Sequence, residues 1–427
     1  MGDVRARICL PAGGNTGQAI TVSVDPGQDV SATNVLPCKE WSITDDVLNL
    51  SDSASFTVSN IDGENNKRFA PGQRVVIDLA DDDVAGGDWI RSFTGIVTSI
   101  ERRSDDSSGS TILISAMDLG WMLTSCHGKP LTQIKSKRFS DLLSLLIDPS
   151  WGFQGVVASN DLNRRLKHGR QVIVQNFQPR EGAVLPYIQV EPGQSPFDLI
   201  QTYAAREGVL VNVSAKGELV FFQPHYDDQA LYRAEYHKST DPDAEHNNLV
   251  GTPTLRETID GLYSEVQCWS TAVLPLKATG QQDAENPNEA FRHTTFTPST
   301  NPLPFSRRHV FSDSEAITDT LRTNRATWKQ QMGQFQSWTY EVEIEGHSQG
   351  GAFFVSDTMI TVIDTVNDIR GVYYVQSVRR SQTLSGGTRS KLTIRKPGLL
   401  NPQLAALPDK KIGGGAKRAA KPQPVIP

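Results

Sequence analysis

Alternation of apolar and polar residues marks the first quarter of the chain. Residues 55–59 (SFTVS) alternate, Pro71-Gly72 punctuates, and residues 74–79 (RVVIDL) form an apolar run. Three aspartates at 81–83 and the pair Gly86-Gly87 read as a turn-rich, solvated loop. A strand resumes over residues 90–101, turns at 105–109 and returns over 111–116. Short strands at this spacing predict a sandwich or barrel.

The pattern changes in the middle. Residues 139–147 have helical spacing and stop before Pro149, and residues 150–190 are irregular. Ser195 is a good N-cap, Pro196 suits the first helical position and Asp198 completes a capping box. Phe197, Ile200, Tyr203 and Ala204 then share one face, and Gly208 is a natural stop, which predicts a helix over 196–207. Val209, Val211 and Val213 alternate, Lys216-Gly217 turns and residues 218–222 return. A helix against a hairpin is a small α/β unit. Strands resume at 255–259 and 264–269, and residues 275–305 read as a long loop. A second helix is predicted over 313–332, with Ser312 as cap and Glu315 three residues on. Its stripe is Ile317, Leu321, Trp328 and Met332, with Gly333 as terminator. Residues 338–344 alternate cleanly, and residues 353–364 supply another strand pair.

One stretch is written twice. Residues 371–394 (GVYYVQSVRRSQTLSGGTRSKLTI) echo residues 93–114 (FTGIVTSIERRSDDSSGSTILI). Val97, Ser99, Ile100, Arg102 and Ser104 align with Val375, Ser377, Val378, Arg379 and Ser381, with one residue slipped before the last two. Upstream, Val76-Ile77-Asp78 matches Val362-Ile363-Asp364, each ahead of an acidic turn. The expected fold is therefore mainly β with α+β character. Two related β-barrel modules, 1–125 and 236–400, flank an α/β region at 126–235. The basic tail, 401–427, carries Lys410, Lys411, Lys417, Arg418 and Lys421 beside a Gly413-Gly414-Gly415 run, a composition that buries no core and predicts flexibility.

Composition narrows the function by exclusion. The 427 residues are 37% hydrophobic, yet the longest apolar runs are as short as 209–211 and 352–355, so no membrane span is expected. The first residues lack the basic-then-apolar stretch of a signal peptide, and synthesis in the cytoplasm is expected. Cys9, Cys38, Cys126 and Cys268 are isolated, which argues against zinc and a disulfide framework. A net charge of −6 gives no strong pull on nucleic acid. His225, His237 and His246 are spaced by twelve and nine in a polar region, unlike a helical metal site. Arg102-Arg103 and Arg379-Arg380 are candidate phosphate contacts, weighed against solvated edge strands where charge blocks pairing. Glu341, Glu343 and Glu345 mark an exposed face or an interface with a basic partner rather than an acid/base pair. No phosphate-binding Gly-Lys-Ser/Thr loop and no GxGxxG opening a helix is present.

Residues 190–200 (VEPGQSPFDLI) resemble the opening of a peptidoglycan-binding LysM module, but a Val-rich hairpin follows where LysM continues to a second helix. Three groups of residues stand in a further recognisable order. Pro71-Gly72-Gln73-Arg74-Val75 leads to Phe93-Thr94-Gly95-Ile96-Val97. Residues 193–198 (GQSPFD) follow, with Glu207-Gly208 and Gly217-Glu218-Leu219-Val220. The last group runs from Arg307-Arg308 to Tyr373-Tyr374-Val375 and Lys391-Leu392-Thr393-Ile394. In this order and spacing the chain resembles, over roughly residues 50–400, the baseplate hub proteins of contractile-tailed phages, especially Mu-like tail proteins, and more distantly the hub portion of type VI secretion spike proteins. Residues 150–190, 275–305 and the tail depart from the family's pattern, and no β-helical extension or lysozyme-like domain is present.

The resemblance implies a structural protein rather than an enzyme, with no catalytic, cofactor or metal residues. It implies a homotrimer whose six barrels form a pseudo-sixfold ring joining the tail tube to a trimeric spike. DNA would pass through the channel without sequence-specific binding. The implied partners are the spike, the tube or its initiator, baseplate wedge proteins and, as a further candidate, a tape measure protein. The implied location is the virion tail baseplate, assembled in the host cytoplasm. The alternatives are a cell-wall-binding or cell-wall-degrading tail protein, and the hub of a tailocin or type VI-like apparatus.

Overall fold

The computed structural model describes residues 5–10, 20–23, 35–105, 109–127, 133–134, 143, 146–159, 188–189, 192–206, 210–270, 292–297, 303–313, 319–383 and 386–398. The tail and all of 160–187 and 271–291 lie outside the described residues, and so do the expectations placed on them. The expected mainly β class is what is observed. One sheet of thirteen strands takes in both modules, and smaller sheets stand beside it.

The first module consists of β1 (Arg5–Leu10), β2 (Ile20–Ser23), β3 (Val35–Asp46), β4 (Ser53–Ser59), β5 (Arg74–Ala80), β6 (Ile90–Asp105) and β7 (Gly109–Asp118). Their pairings run β3-β2-β1-β5-β6-β7-β4, and β4 pairs again with β3. Inward positions such as Phe56, Val75, Ile77, Val97 and Ile114 form its core. The second module pairs Trp338–Glu345 with Gly387–Arg395, then Ile369–Thr383, Thr358–Asp364 and Tyr232–Tyr236. Thr254–Glu257 adds to the free edge of Trp338–Glu345, and among the described residues no strand pairing joins this end to Tyr232–Tyr236. Residues 247–250 bridge them, with Asn248 N donating to Glu235 O (3.3 Å) and Val250 N to Glu343 O (2.7 Å).

The echo in the sequence is a real structural repeat, with a corrected register. In both hairpins the pairing shifts at the Val-x-Ser step, between Val97 and Ser99 and between Val375 and Ser377. A bulge conserved in place twists the strand the same way in both copies. The pairings continue at a constant offset: Arg102 faces Ile112, Arg380 faces Ser390, and each hairpin closes at a left-handed glycine, Gly109 or Gly387. No residue slips. Arg102 corresponds to Arg380, not Arg379. The upstream match also moves by one residue, because Arg74 pairs with Ile96 and Met359 with Tyr374, which places Ile77 opposite the role of Val362. Ahead of that strand the two modules share a left-handed turn residue. Gly72 (φ 84°) donates to Val97 O at 2.8 Å, and Asp357 (φ 58°) donates to Val375 O at 2.9 Å. Glycine takes this conformation freely, whereas an aspartate there stores strain. Asp357 holds it while fully buried, its carboxylate accepting from Tyr374 Oη at 2.8 Å and facing His225 Nδ1 at 3.0 Å.

The α/β unit forms as the capping pattern predicts. In the helix Pro196–Arg206, Asp198 N donates to Ser195 Oγ at 3.1 Å and Ser195 N to Asp198 Oδ2 at 3.2 Å. The following hairpin, Leu210–Val213 and Glu218–Phe222, is buried on both faces. Val211, Val213, Leu219 and Phe221 pack with the helix and with Ile96 and Leu119 of the first module. Leu210, Val220 and Phe222 pack instead with Trp328, Phe335 and Tyr374.

The second helix differs from expectation. Ser312 ends the strand Arg308–Ser312, Glu315 and Ile317 lie outside the described residues, and the described helix runs Asp319–Ser337. Gly333 sits inside it rather than ending it. A Cβ there would stand 1.8 Å from Gly261 O, so the glycine allows the chain to cross the helix in contact with its backbone. The region read as a loop over 275–305 contains the strand Arg292–Phe296, which joins Glu265–Ser270 and Arg308–Ser312 in a separate three-stranded sheet. Gly333→Ala is expected to force this crossing apart and cost about 2 kcal/mol, measured by denaturant unfolding.

Candidate functional site

The two modules share a strand. β3 pairs with β4 on one side and with Ile369–Thr383 on the other, where Ser377 to Thr383 face Asp46 to Glu40. This seam buries a polar cluster. Arg380, opposite Ile43, is 3% exposed, while Arg102, its counterpart in the first module, is exposed and donates to Asn66 O at 2.8 Å. The difference is β3, which covers the second copy at that position. The expectation of solvated edge strands holds for Arg102-Arg103, which are exposed where β6 pairs with β7 alone. It is corrected for the second pair, where Ile369–Thr383 lies between β3 and Gly387–Arg395 and only Arg379 is exposed.

Asp45 and Asp52 act on Arg380, and Asp118 acts in turn on Asp52. Asp45 accepts from Ser356 Oγ (2.6 Å) and Ser356 N (3.1 Å), which ties β3 to the second module. Asp52 accepts from Asp46 N at 2.9 Å, and Asp118 from Gly120 N at 2.9 Å. Asp118 N in turn donates to Asp52 O at 3.0 Å. Burial pushes the Asp118 carboxyl up to about 8, against the pull of its backbone donors. Burial, and then the negative charges of Asp45 and Asp118, push Asp52 well above the usual carboxylate range. Desolvation lowers Arg380, opposed by Asp45, Tyr232 and Asp52. The cluster lines a cavity of about 170 Å³ enclosed by both modules and by the hairpin tip at Ser214–Lys216. Thr94 Oγ1 pins that tip by donating to Ala215 O at 2.7 Å. Chemically the seam joins three parts of the chain through buried charge.

The other candidates are not brought together. His225 meets Asp357, His237 Nε2 lies 3.1 Å from Glu235, and His246 is exposed. Among the described residues no three metal-ligating side chains cluster. The aspartate triplet is not uniformly solvated: Asp81 is buried and accepts from Ser348 Oγ, while Asp82 pairs with Arg5 at 3.0 Å. Arg103 pairs with Glu101 at 2.9 Å. The glutamate row finds its basic partners on the neighbouring strand, with Lys391 on Glu341 (2.6 Å) and Arg389 near Glu343 (3.8 Å). Sequence reasoning missed Asp45, Asp52 and Asp118. They stand apart in the chain among many acidic residues, and only the pairing of β3 assembles them.

No protein-family model matches the sequence, and no curated protein does. Solved structures match over nearly its whole length. A tail protein from Neisseria meningitidis MC58 superposes with a TM-score of 0.66 at 16% identity, over 93% of this chain and 99% of that one. The 43 kDa tail protein of prophage MuSo2 from Shewanella oneidensis gives 0.62 at 18% identity, over 92% and 98%. A chain of the half-lidded PdpA–VgrG complex of Francisella gives 0.52 at 12% identity, over 95% of this chain and 60% of that one. The fold of this chain is that of phage tail proteins. It is shared in outline with the Francisella complex.

Proposed function

We propose that the protein is a structural component of a contractile phage tail, its baseplate hub. The observation that carries this reading is the repeated bulged hairpin, set in two modules joined by one shared strand. Three chains then supply six similar modules, and a closed cyclic ring is the natural assembly of such heterologous contacts. One face of the ring would meet the sixfold tail tube and the other a trimeric spike, leaving a passage for DNA. The likeness to two phage tail proteins supports a virion location and a role without catalysis. The spike, the tube or its initiator and the wedge proteins are the partners this geometry calls for. The outline shared with the PdpA–VgrG complex favours a second reading, the hub of a secretion apparatus, and neighbouring genes distinguish the two. The LysM-like opening is accounted for by the Ser195 capping box and the hairpin that follows it.

The test is a mass measurement with negative-stain imaging of the purified protein, alone and with its spike. The expected result is a trimer showing six similar densities around a hole. A strict monomer in both preparations overturns the hub reading.

A further inference from the structure

We propose that the seam cavity is a binding site for a small oxyanion, a carboxylate or a phosphate, held by Arg380. Arg380 is almost fully buried, it lines the cavity, and its Nε has no hydrogen-bond partner. A buried guanidinium donor left unmatched is costly, and an oxyanion is the group that matches it best. The cavity also has a cationic entrance. Arg91 and Lys216 belong both to its lining and to a surface groove that holds Arg7 and Trp89. Asp78 there accepts from Arg7 at 3.0 Å and Arg91 at 2.5 Å, one carboxylate oxygen to each, so it is already committed. Arg7 lies 4.7 Å from the Trp89 ring, which holds it beside the entrance. An anion thus passes three cations, with Asp78 and Asp88 beside them, before it reaches Arg380.

The carboxyl groups of the cavity set the conditions for binding. Asp45 is occupied by Ser356, and Glu218 accepts from Ser214 Oγ at 3.0 Å. Asp52 and Asp118 are held by burial toward their protonated forms, Asp118 with a pKa of about 8. Near neutrality Asp118 is therefore an O–H donor rather than a repelling charge, and Asp52 is shifted in the same direction. As pH rises through that value the cavity gains negative charge and releases the anion.

Isothermal titration of the full chain with inorganic phosphate in one arm and acetate in the other tests the site. Saturable binding of phosphate points to a free ion as the natural occupant, and binding of acetate to a side-chain carboxylate of a partner. The expected result is one ion per chain in at least one arm, weakened about tenfold by Arg380→Gln. Raising the pH from about 7 to 9 is expected to weaken it as well, and Asp118→Asn to flatten that decline. Because Arg380→Gln carries a folding cost, Arg91→Ala and Lys216→Ala at the entrance provide an independent check, each expected to weaken binding several-fold. The proposal is overturned if neither probe binds saturably at tens of millimolar, or if binding is indifferent to the entrance variants.

Discussion

Arg380→Leu is expected to destabilise the protein by about 3–5 kcal/mol, because removing one member of a buried charge cluster leaves the others uncompensated. Asp45 remains at the seam with no opposing guanidinium, and leucine offers it neither charge nor a hydrogen bond. The loss is expected to be specific to the cluster. Asp45→Asn in the same background should recover part of it, since a buried pair replaced as a unit is often near neutral. The measurement is chemical denaturation of the four members of the double-mutant cycle. An additive cycle would show that Arg380 and Asp45 do not act on each other. Arg102→Leu, at the matching position of the first module, is the internal control. That side chain is exposed and should change stability by less than about 0.5 kcal/mol.

The second large effect concerns pH. Asp118 titrates at about 8 in the folded chain, well above its value in an unfolded one. The native state therefore holds a proton that the unfolded state has released. Its contribution to stability is complete below the unfolded value of about 4 and is lost as pH rises through the folded value near 8. The wild type should lose on the order of 3 kcal/mol across that window, less than the full shift implies because water enters as the group ionises. Asp118→Asn keeps an acceptor for Gly120 N and carries no charge. Its stability should be much flatter over the same range, as thermal melts in matched buffers would show. A wild-type profile just as flat would mean that the carboxyl is not held protonated.

Much of the fold can be read from the residues, and the exceptions have physical reasons. The capping box at Ser195 is local, and local hydrogen bonds carry their spelling with them. The repeated hairpin is legible because a bulge constrains both the valine and the serine that flank it. Matching Arg102 to Arg379 shifts the register beyond the bulge by one residue, whereas the pairing of both strands fixes the constant offset. Gly333 reads as a helix stop because glycine usually is one. The chain that crosses it at Gly261 is too distant in sequence to announce itself. The seam is the least legible part. Arg380 looks like any strand arginine until β3 covers it, and the three aspartates gain meaning only from that burial. The assembly expected from the family resemblance rests on contacts between copies, which a single chain does not contain.

The shared strand has a mechanical consequence. β3 gives backbone hydrogen bonds to β4 through one edge and to Ile369–Thr383 through the other, over largely the same residues. A pull between the modules along this strand loads both ladders in shear, so their bonds resist together instead of opening one at a time. The two modules should therefore behave as a single stiff plate under load. In the proposed hub, deformation would then be taken up at the joints between chains, while each chain keeps its shape.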